Sequence, residues 1–140
     1  MRGELSKAEY ELLAAIRYAL RRFLRFSEDA ARGVGLQPQQ HQALLAVKGF
    51  PGRDWVTIGE LAERLQIHHH SAVGLVNRLV AQGLMERTPA TADRRQVHVT
   101  LSGQGLALLE RLSTVHKAEL KEFGPELTLL LARLKEESEE

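Results

Sequence analysis

Apolar residues near the start of the chain recur every three or four positions, at Leu12, Leu13, Ile16, Ala19, Leu20, Phe23 and Leu24. That spacing puts them on one side of an amphipathic helix. Ser6 followed three residues later by Glu9 has the form of a capping box, which sets the helix start. Gly33 and Gly35 supply its stop signal. Pro38, after Leu36 and Gln37, falls in the first turn of a second helix, where its missing N–H costs nothing. This helix runs through His41, Leu44, Leu45 and Val47 and stops at Gly49, with Pro51 and Gly52 beyond. Trp55-Val56 has the character of a very short strand. Thr57 and Glu60 make a second capping box, opening a third helix through Leu61, Ala62 and Leu65. Gln66-Ile67 is a brief turn. A fourth helix then runs from about His68 or His69 to Gln82, closed by Gly83, with Ala72, Leu75, Val76, Leu79 and Val80 in one apolar stripe.

Past Gly83 the period drops to two. Residues 84–87 and 96–101 alternate as half-buried strands do. The segment between them, 88–95, is rich in turn formers and too long for a tight hairpin. Ser102-Gly103-Gln104-Gly105 starts a long helix with Leu106, Leu109, Leu112 and Val115 on one face. Gly124-Pro125 is expected to break it, leaving a last helix from Glu126 to about Glu137. The order is α-α-(β)-α-α-β-β-α-α, a mainly α fold with a small β-hairpin wing. There is no internal repeat.

Composition narrows the class without naming a function. The 140 residues are 44% hydrophobic and 26% charged, as in an ordinary globular protein. The absence of cysteine removes disulfides, thiolate metal sites and thiol redox sensing together. Charges from the first residues onward argue against a signal peptide. The most apolar stretch, 127–134, is interrupted by Thr128 and Arg133. A cytoplasmic protein with no membrane partner is expected. The net charge of +1 is silent on nucleic acid. Arg17, Arg21, Arg22, Arg25 and Arg32 stand against Glu28 and Asp29, while acids crowd the end of the chain. By default such runs are solvated faces or tails.

Two short helices, a tight turn and then a two-stranded ribbon with a long polar tip make a winged helix-turn-helix. Helix pairs of this kind also serve as plain packing units, so the polar face of the fourth helix decides. With its apolar stripe assigned to the core, the outward face holds His69, His70, Val73, Gly74, Asn77 and Arg78, and no carboxylate. A merely solvated face mixes both signs, as at Arg111, Lys117, Glu119 and Lys121. An acid-free face suits phosphates and the acceptor-rich major-groove edge of bases. His68-His69-His70 does not read as a metal site, because successive helical residues point about 100° apart; with Ser71 these side chains are candidate DNA contacts. No Gly-rich phosphate loop, His-Glu metal pair or Gly-x-Ser-x-Gly motif supports an enzyme. The rival is a winged helix used for protein interaction, sharing the fold without the groove chemistry; Asn77, Arg78, Arg94 and Arg95 weigh against it.

Residues 61–67 (LAERLQI), 71–79 (SAVGLVNRL), 83–87 (GLMER), 93–95 (DRR) and 99–105 (VTLSGQG) resemble, in register, the MarR family of winged helix-turn-helix transcriptional regulators. The resemblance covers roughly residues 36–105. It implies one MarR-like domain over 1–140, with a winged core at 36–105 and dimerisation helices at 6–35 and 102–137. It further implies a homodimeric repressor that places two such modules in successive major grooves of a pseudo-palindromic operator on double-stranded DNA. Arg95 would enter the minor groove, oriented by Asp93 through a charge-assisted hydrogen bond, and Arg94 would contact phosphate. The chain departs from the family at Val73, where a Ser or Thr is usual, and at Gly74, where an arginine is usual. Many members are released by small aromatic ligands; Tyr18, Arg22, Phe26, His41 and Trp55 are the candidate effector-binding residues, and arginine among aromatics suits an anionic one. His41 and His116 are the remaining candidate pair for a shared metal, the basis of a metal-responsive alternative. No cofactor and no bound metal are expected.

Overall fold

The first helix, α1 (Lys7–Gly33), begins where Ser6 and Glu9 satisfy each other. The Glu9 amide donates to Ser6 Oγ at 3.1 Å and the Ser6 amide to Glu9 Oε1 at 3.0 Å. It ends where Gly35, at φ +85°, lets the Leu36 amide reach back to the Ala31 carbonyl at 2.9 Å, a left-handed C-terminal cap. These details come from a computed structural model that describes residues 3–89 and 96–139. α2 spans Pro38–Lys48, β1 Trp55–Val56, α3 Ile58–Leu65, α4 His69–Ala81, β2 Met85–Pro89, β3 Val97–Leu101 and α5 Gly103–Glu139. The strands form an antiparallel sheet in the order β1-β3-β2. Met85 faces Leu101 and Pro89 faces Val97, while Trp55 and Val56 pair with Thr100 and Val99. The short strand foreseen at 55–56 is thus the third member of the wing's sheet. No helix among the described residues is long and apolar enough to cross a membrane.

One expectation fails. Gly124 and Pro125 do not break the last helix into two; both lie inside the continuous α5. Proline there removes one backbone bond, to the carbonyl four residues back, at a cost of about 3 kcal/mol. That carbonyl belongs to Lys121, and both Lys121 and Pro125 are exposed, so water is at hand for it. Two residues earlier, the buried Phe123 stacks on Phe23 of α1 at 5.3 Å between ring centroids. Half-buried Leu127 and Leu130 continue the same packing beyond the proline. Tertiary contact on both sides outweighs the local penalty.

The described chain divides into two compact units. The winged unit, Ala31–Ser113, holds nearly all of the core. Leu44, Val47, Val56, Leu61, Leu75, Val76, Leu79, Met85, Val99 and Leu112 are at most 2% exposed. The other unit joins residues up to Ala30 with those from Thr114 on. It buries only Ala19 and Phe123 among its apolar side chains. Leu13, Leu20, Leu24, Leu120, Leu129 and Leu131, with Tyr10 and Tyr18, remain exposed there.

Candidate nucleic-acid interface

α3 starts on a complete capping box: the Glu60 amide donates to Thr57 Oγ1 (3.2 Å) and the Thr57 amide to Glu60 Oε1 (2.9 Å). It stops at Gln66, a non-glycine residue at φ +54°. The left-handed turn is held by the Ile67 amide on the Ala62 carbonyl at 3.0 Å and by Gln66 Nε2 on the Glu63 carbonyl at 2.8 Å. Two residues on, His68 opens α4 without capping it by its side chain. Unlike Ser6 before α1 and Thr57 before α3, the N-cap residue of α4 accepts no first-turn amide through its side chain, and a helix N-terminus without such a cap favours anions.

The faces of α4 fall as its pattern predicts. Ala72, Leu75, Val76 and Leu79 are buried. His68, His69, His70, Ser71, Asn77 and Arg78 are exposed, and Val73 and Gly74 half-buried. No acidic residue occurs anywhere between Glu63 and Glu86. At the far end of the helix, Gln40 of α2, 4% exposed, donates through Nε2 to Gln82 Oε1 at 3.1 Å, tying α4 to the unit's core. Gly74 lies within the helix at an ordinary negative φ. A Cβ built there meets only Arg78 Nη1, at 3.5 Å, an ordinary contact. Glycine in such a position costs about 1 kcal/mol relative to alanine, and nothing in the fold requires it.

The base of the wing is a hydrogen-bonded knot around Ser102. Its hydroxyl donates to the Gly83 carbonyl (2.6 Å) and accepts the Gly105 amide (3.0 Å). Its own amide donates to the Leu84 carbonyl at 3.1 Å. Gly83 takes the positive φ of +76° that the turn from α4 into β2 requires. Gly105, buried, lies so close to Leu84 that any Cβ would run into that carbonyl. The glycines bracketing the wing thus fix where the ribbon leaves α4.

A second brace was not legible in the sequence. The Arg53 guanidinium lies 4.3 Å from the centre of the Phe50 ring and 3.9 Å from that of Trp55. His98 of β3 stacks on Trp55 at 3.5 Å with 13° between the planes. Two groups this near one ring centre must take opposite faces, so Trp55 is sandwiched. Arg64 of α3 extends the stack, 4.7 Å from the Phe50 ring centre. Arg53 also pairs with Glu60. Partial burial pushes the Glu60 carboxyl up, but the Thr57 amide, the Arg53 guanidinium and the Thr57 hydroxyl together outweigh it and hold the group below its ordinary value. Loop, α3 and wing strand are joined through one column of rings and guanidinium groups.

The other sequence candidates are distributed as follows. Asp93, Arg94 and Arg95 lie outside the described residues, between the last strand pair Pro89–Val97. Arg22 pairs with Glu126, Nη2 lying 2.5 Å from each carboxylate oxygen, and its guanidinium stands 5.1 Å from the Tyr18 ring centre. An anionic ligand at Arg22 has to compete with that carboxylate. Phe26 meets His116 edge-on at 5.5 Å, Phe23 does so at 6.2 Å, and His116 Nε2 sits 2.8 Å from Ser27 Oγ. His41 is buried in α2. Among the described residues, no three His, Asp or Glu side chains gather as a metal site.

Comparisons with known proteins agree with this geometry. Residues 34–96 match a family model described as MarR family. Over 85 residues the chain is 25% identical to the HTH-type transcriptional regulator PapX of Escherichia coli, a stretch covering 61% of this chain. It spans only about half, 52%, of that relative's length. Among solved structures, AbsC, a MarR family transcriptional regulator from Streptomyces coelicolor, superposes with a TM-score of 0.76 at 20% identity, covering 99% of this chain and 97% of the other. A mutant of MarR from E. coli complexed with operator DNA gives a TM-score of 0.66 at 22% identity, covering 95% and 94%. The mainly helical winged architecture, the motifs along α3, α4 and the wing, and the match over residues 34–96 converge: that segment is similar to the MarR family, and the chain shares the fold of solved MarR family structures.

Proposed function

We propose that the protein is a sequence-specific DNA-binding repressor that acts as a homodimer on a pseudo-palindromic operator. The observation that carries this reading is the outward face of α4, where exposed His69, His70, Ser71, Asn77 and Arg78 form an acid-free surface on a helix whose opposite face is wholly buried. Asn77 and Arg78 offer donors for base edges. The first-turn amides and the histidines serve phosphates. Arg94 and Arg95, with Asp93 orienting the latter, extend the interface to the flanking backbone and minor groove.

The homodimer rests on the uneven burial of the two units. Of the large hydrophobic side chains that are exposed among the described residues, only Leu45 belongs to the winged unit; the rest, from Leu5 to Leu131, belong to the unit built from both ends of the chain. A second copy is the partner that would cover such a face symmetrically. Two copies then present α4 twice, about 34 Å apart, one turn of the duplex. A small anionic aromatic ligand engaging Arg22 would act by displacing Glu126 and altering the dimerisation unit.

The test selects duplexes from a random-sequence pool with the full-length protein and measures affinity by fluorescence anisotropy across salt concentrations. The expected result is an inverted repeat, with affinity falling linearly on a log–log salt plot. Arg78→Ala and Asn77→Ala should each lose ~10-fold or more on the selected site. Sedimentation should give about 31 kDa, twice the 15.7 kDa chain. A 15.7 kDa species at micromolar concentration sinks the dimer, and the absence of any duplex enrichment sinks the DNA reading.

A further inference from the structure

Gly74 occupies the centre of the outward face of α4. Its helical neighbours three and four residues away are His70, Ser71, Asn77 and Arg78, all exposed and none acidic. The fold has no use for a glycine here. The backbone is helical and is not among the positive-φ positions. An added Cβ would touch only the end of the Arg78 side chain, at 3.5 Å. Alanine would therefore fit and would strengthen the helix. A glycine that weakens its helix, fills no tight space and sits amid hydrogen-bond donors is explained by what approaches from outside.

On the reading that α4 lies in the major groove, we propose that Gly74 is a specificity-determining notch that admits the C5-methyl group of one thymine. The groove floor offers that methyl as its one apolar projection. Val73, half-buried and adjacent, supplies an apolar wall on one side, and the bare Cα of Gly74 supplies the depth. Asn77 and Arg78, one turn on, hold neighbouring base edges by hydrogen bonds. The notch selects by excluded volume and by methyl contact, where a longer side chain would select by hydrogen bonding.

The experiment uses full-length wild type and Gly74→Ala, and as probe the tightest duplex that wild type selects from a random pool. Each thymine of one half-site, with its symmetry mate, is replaced in turn by uracil, which removes only the methyl. Gly74→Ala should raise the Tm by roughly 2–5 °C yet bind the all-thymine duplex ~10-fold or more weaker. At one position uracil should weaken wild type by roughly 3- to 10-fold and restore binding by Gly74→Ala. Equal affinity of the two proteins for the all-thymine duplex overturns the notch, as does a lowered Tm, which would give the glycine a role in the fold. Weaker binding that no uracil restores overturns the assignment to thymine. Wild type enriching no duplex defeats the DNA reading itself, an outcome distinct from all three.

Discussion

Gly105→Ala is a one-carbon change that should damage the wing far out of proportion to its size. The added Cβ would collide with the Leu84 carbonyl, which is backbone and has no rotamer to escape into. Either β2 or the first turn of α5 must move, and the Ser102 knot lies between them. Three hydrogen bonds are at stake: Ser102 amide to Leu84 carbonyl (3.1 Å), Gly105 amide to Ser102 Oγ (3.0 Å) and Ser102 Oγ to Gly83 carbonyl (2.6 Å). At about 1 kcal/mol each, their loss approaches 3 kcal/mol. Replacing glycine by alanine in a helix returns at most about 1 kcal/mol. The net expectation is a destabilisation of about 2–3 kcal/mol, a large part of an ordinary domain's reserve of about 5–15 kcal/mol. Urea denaturation at fixed protein concentration measures it. Ser102→Ala alone should cost about 1–2 kcal/mol. Because both changes break the same knot, the double variant should cost clearly less than their sum. A Gly105→Ala loss below about 0.5 kcal/mol, the range of an indifferent surface change, would refute the reasoning, and so would strict additivity with Ser102→Ala.

Two further outcomes follow from the column of rings and guanidinium groups and from the Glu60 cap. Glu60 titrates below its ordinary value of 4.5 in the folded protein, so its contribution to stability is complete above that pH and is lost as pH falls through the lowered value. Thermal melts from pH 7 to pH 3 should show wild type more stable than Glu60→Gln at neutral pH, with the gap closing below about pH 4.5; a gap independent of pH would disprove this. Trp55→Ala removes the platform shared by Arg53 and His98 and should cost about 2 kcal/mol, while Trp55→Phe should recover more than half. With the wing strand loosened, Trp55→Ala should also bind the selected duplex with a shallower salt dependence; an unchanged slope would show that the stack does not position the wing.

The features legible in the sequence are those whose physics is confined to a few neighbouring residues. Both capping boxes form as their four-residue patterns indicate, and Gly35 and Gly83 take the left-handed backbone their positions demand. The stripe on α4 was equally readable: Ala72, Leu75, Val76 and Leu79 are buried, which leaves the acid-free face outward. Pro125 misleads because the compensation is remote, a ring stacked from Phe23 one hundred residues earlier in the chain. The Trp55 column escapes sequence reading for a similar reason. It depends on the register that sets Trp55 opposite Thr100 and so brings His98 alongside. That Gly74 is dispensable to the fold likewise needed coordinates, since only they show what a Cβ would meet.

Hydrophobic periodicity also carries two meanings that only burial separates. On α4 the apolar stripe is covered by the same chain: Ala72, Leu75, Val76 and Leu79 are at most 1% exposed and Val80 is half-buried. On α1 the same three-and-four spacing through Leu12, Leu13, Ile16, Ala19, Leu20, Phe23 and Leu24 ends differently. Ala19 alone is buried, Leu13 is 43% and Leu24 51% exposed, and the rest are at best half-covered. Periodicity reports which face of a helix is apolar and is silent on what covers it. Leaving such a face in water forgoes about 25 cal/mol for each Å² that a partner would bury. A chain that spends its intramolecular burial on the winged unit and leaves its terminal helices uncovered has the distribution of apolar surface that two copies satisfy together. On the proposed homodimer, a second copy would cover the exposed leucines of α1 and α5.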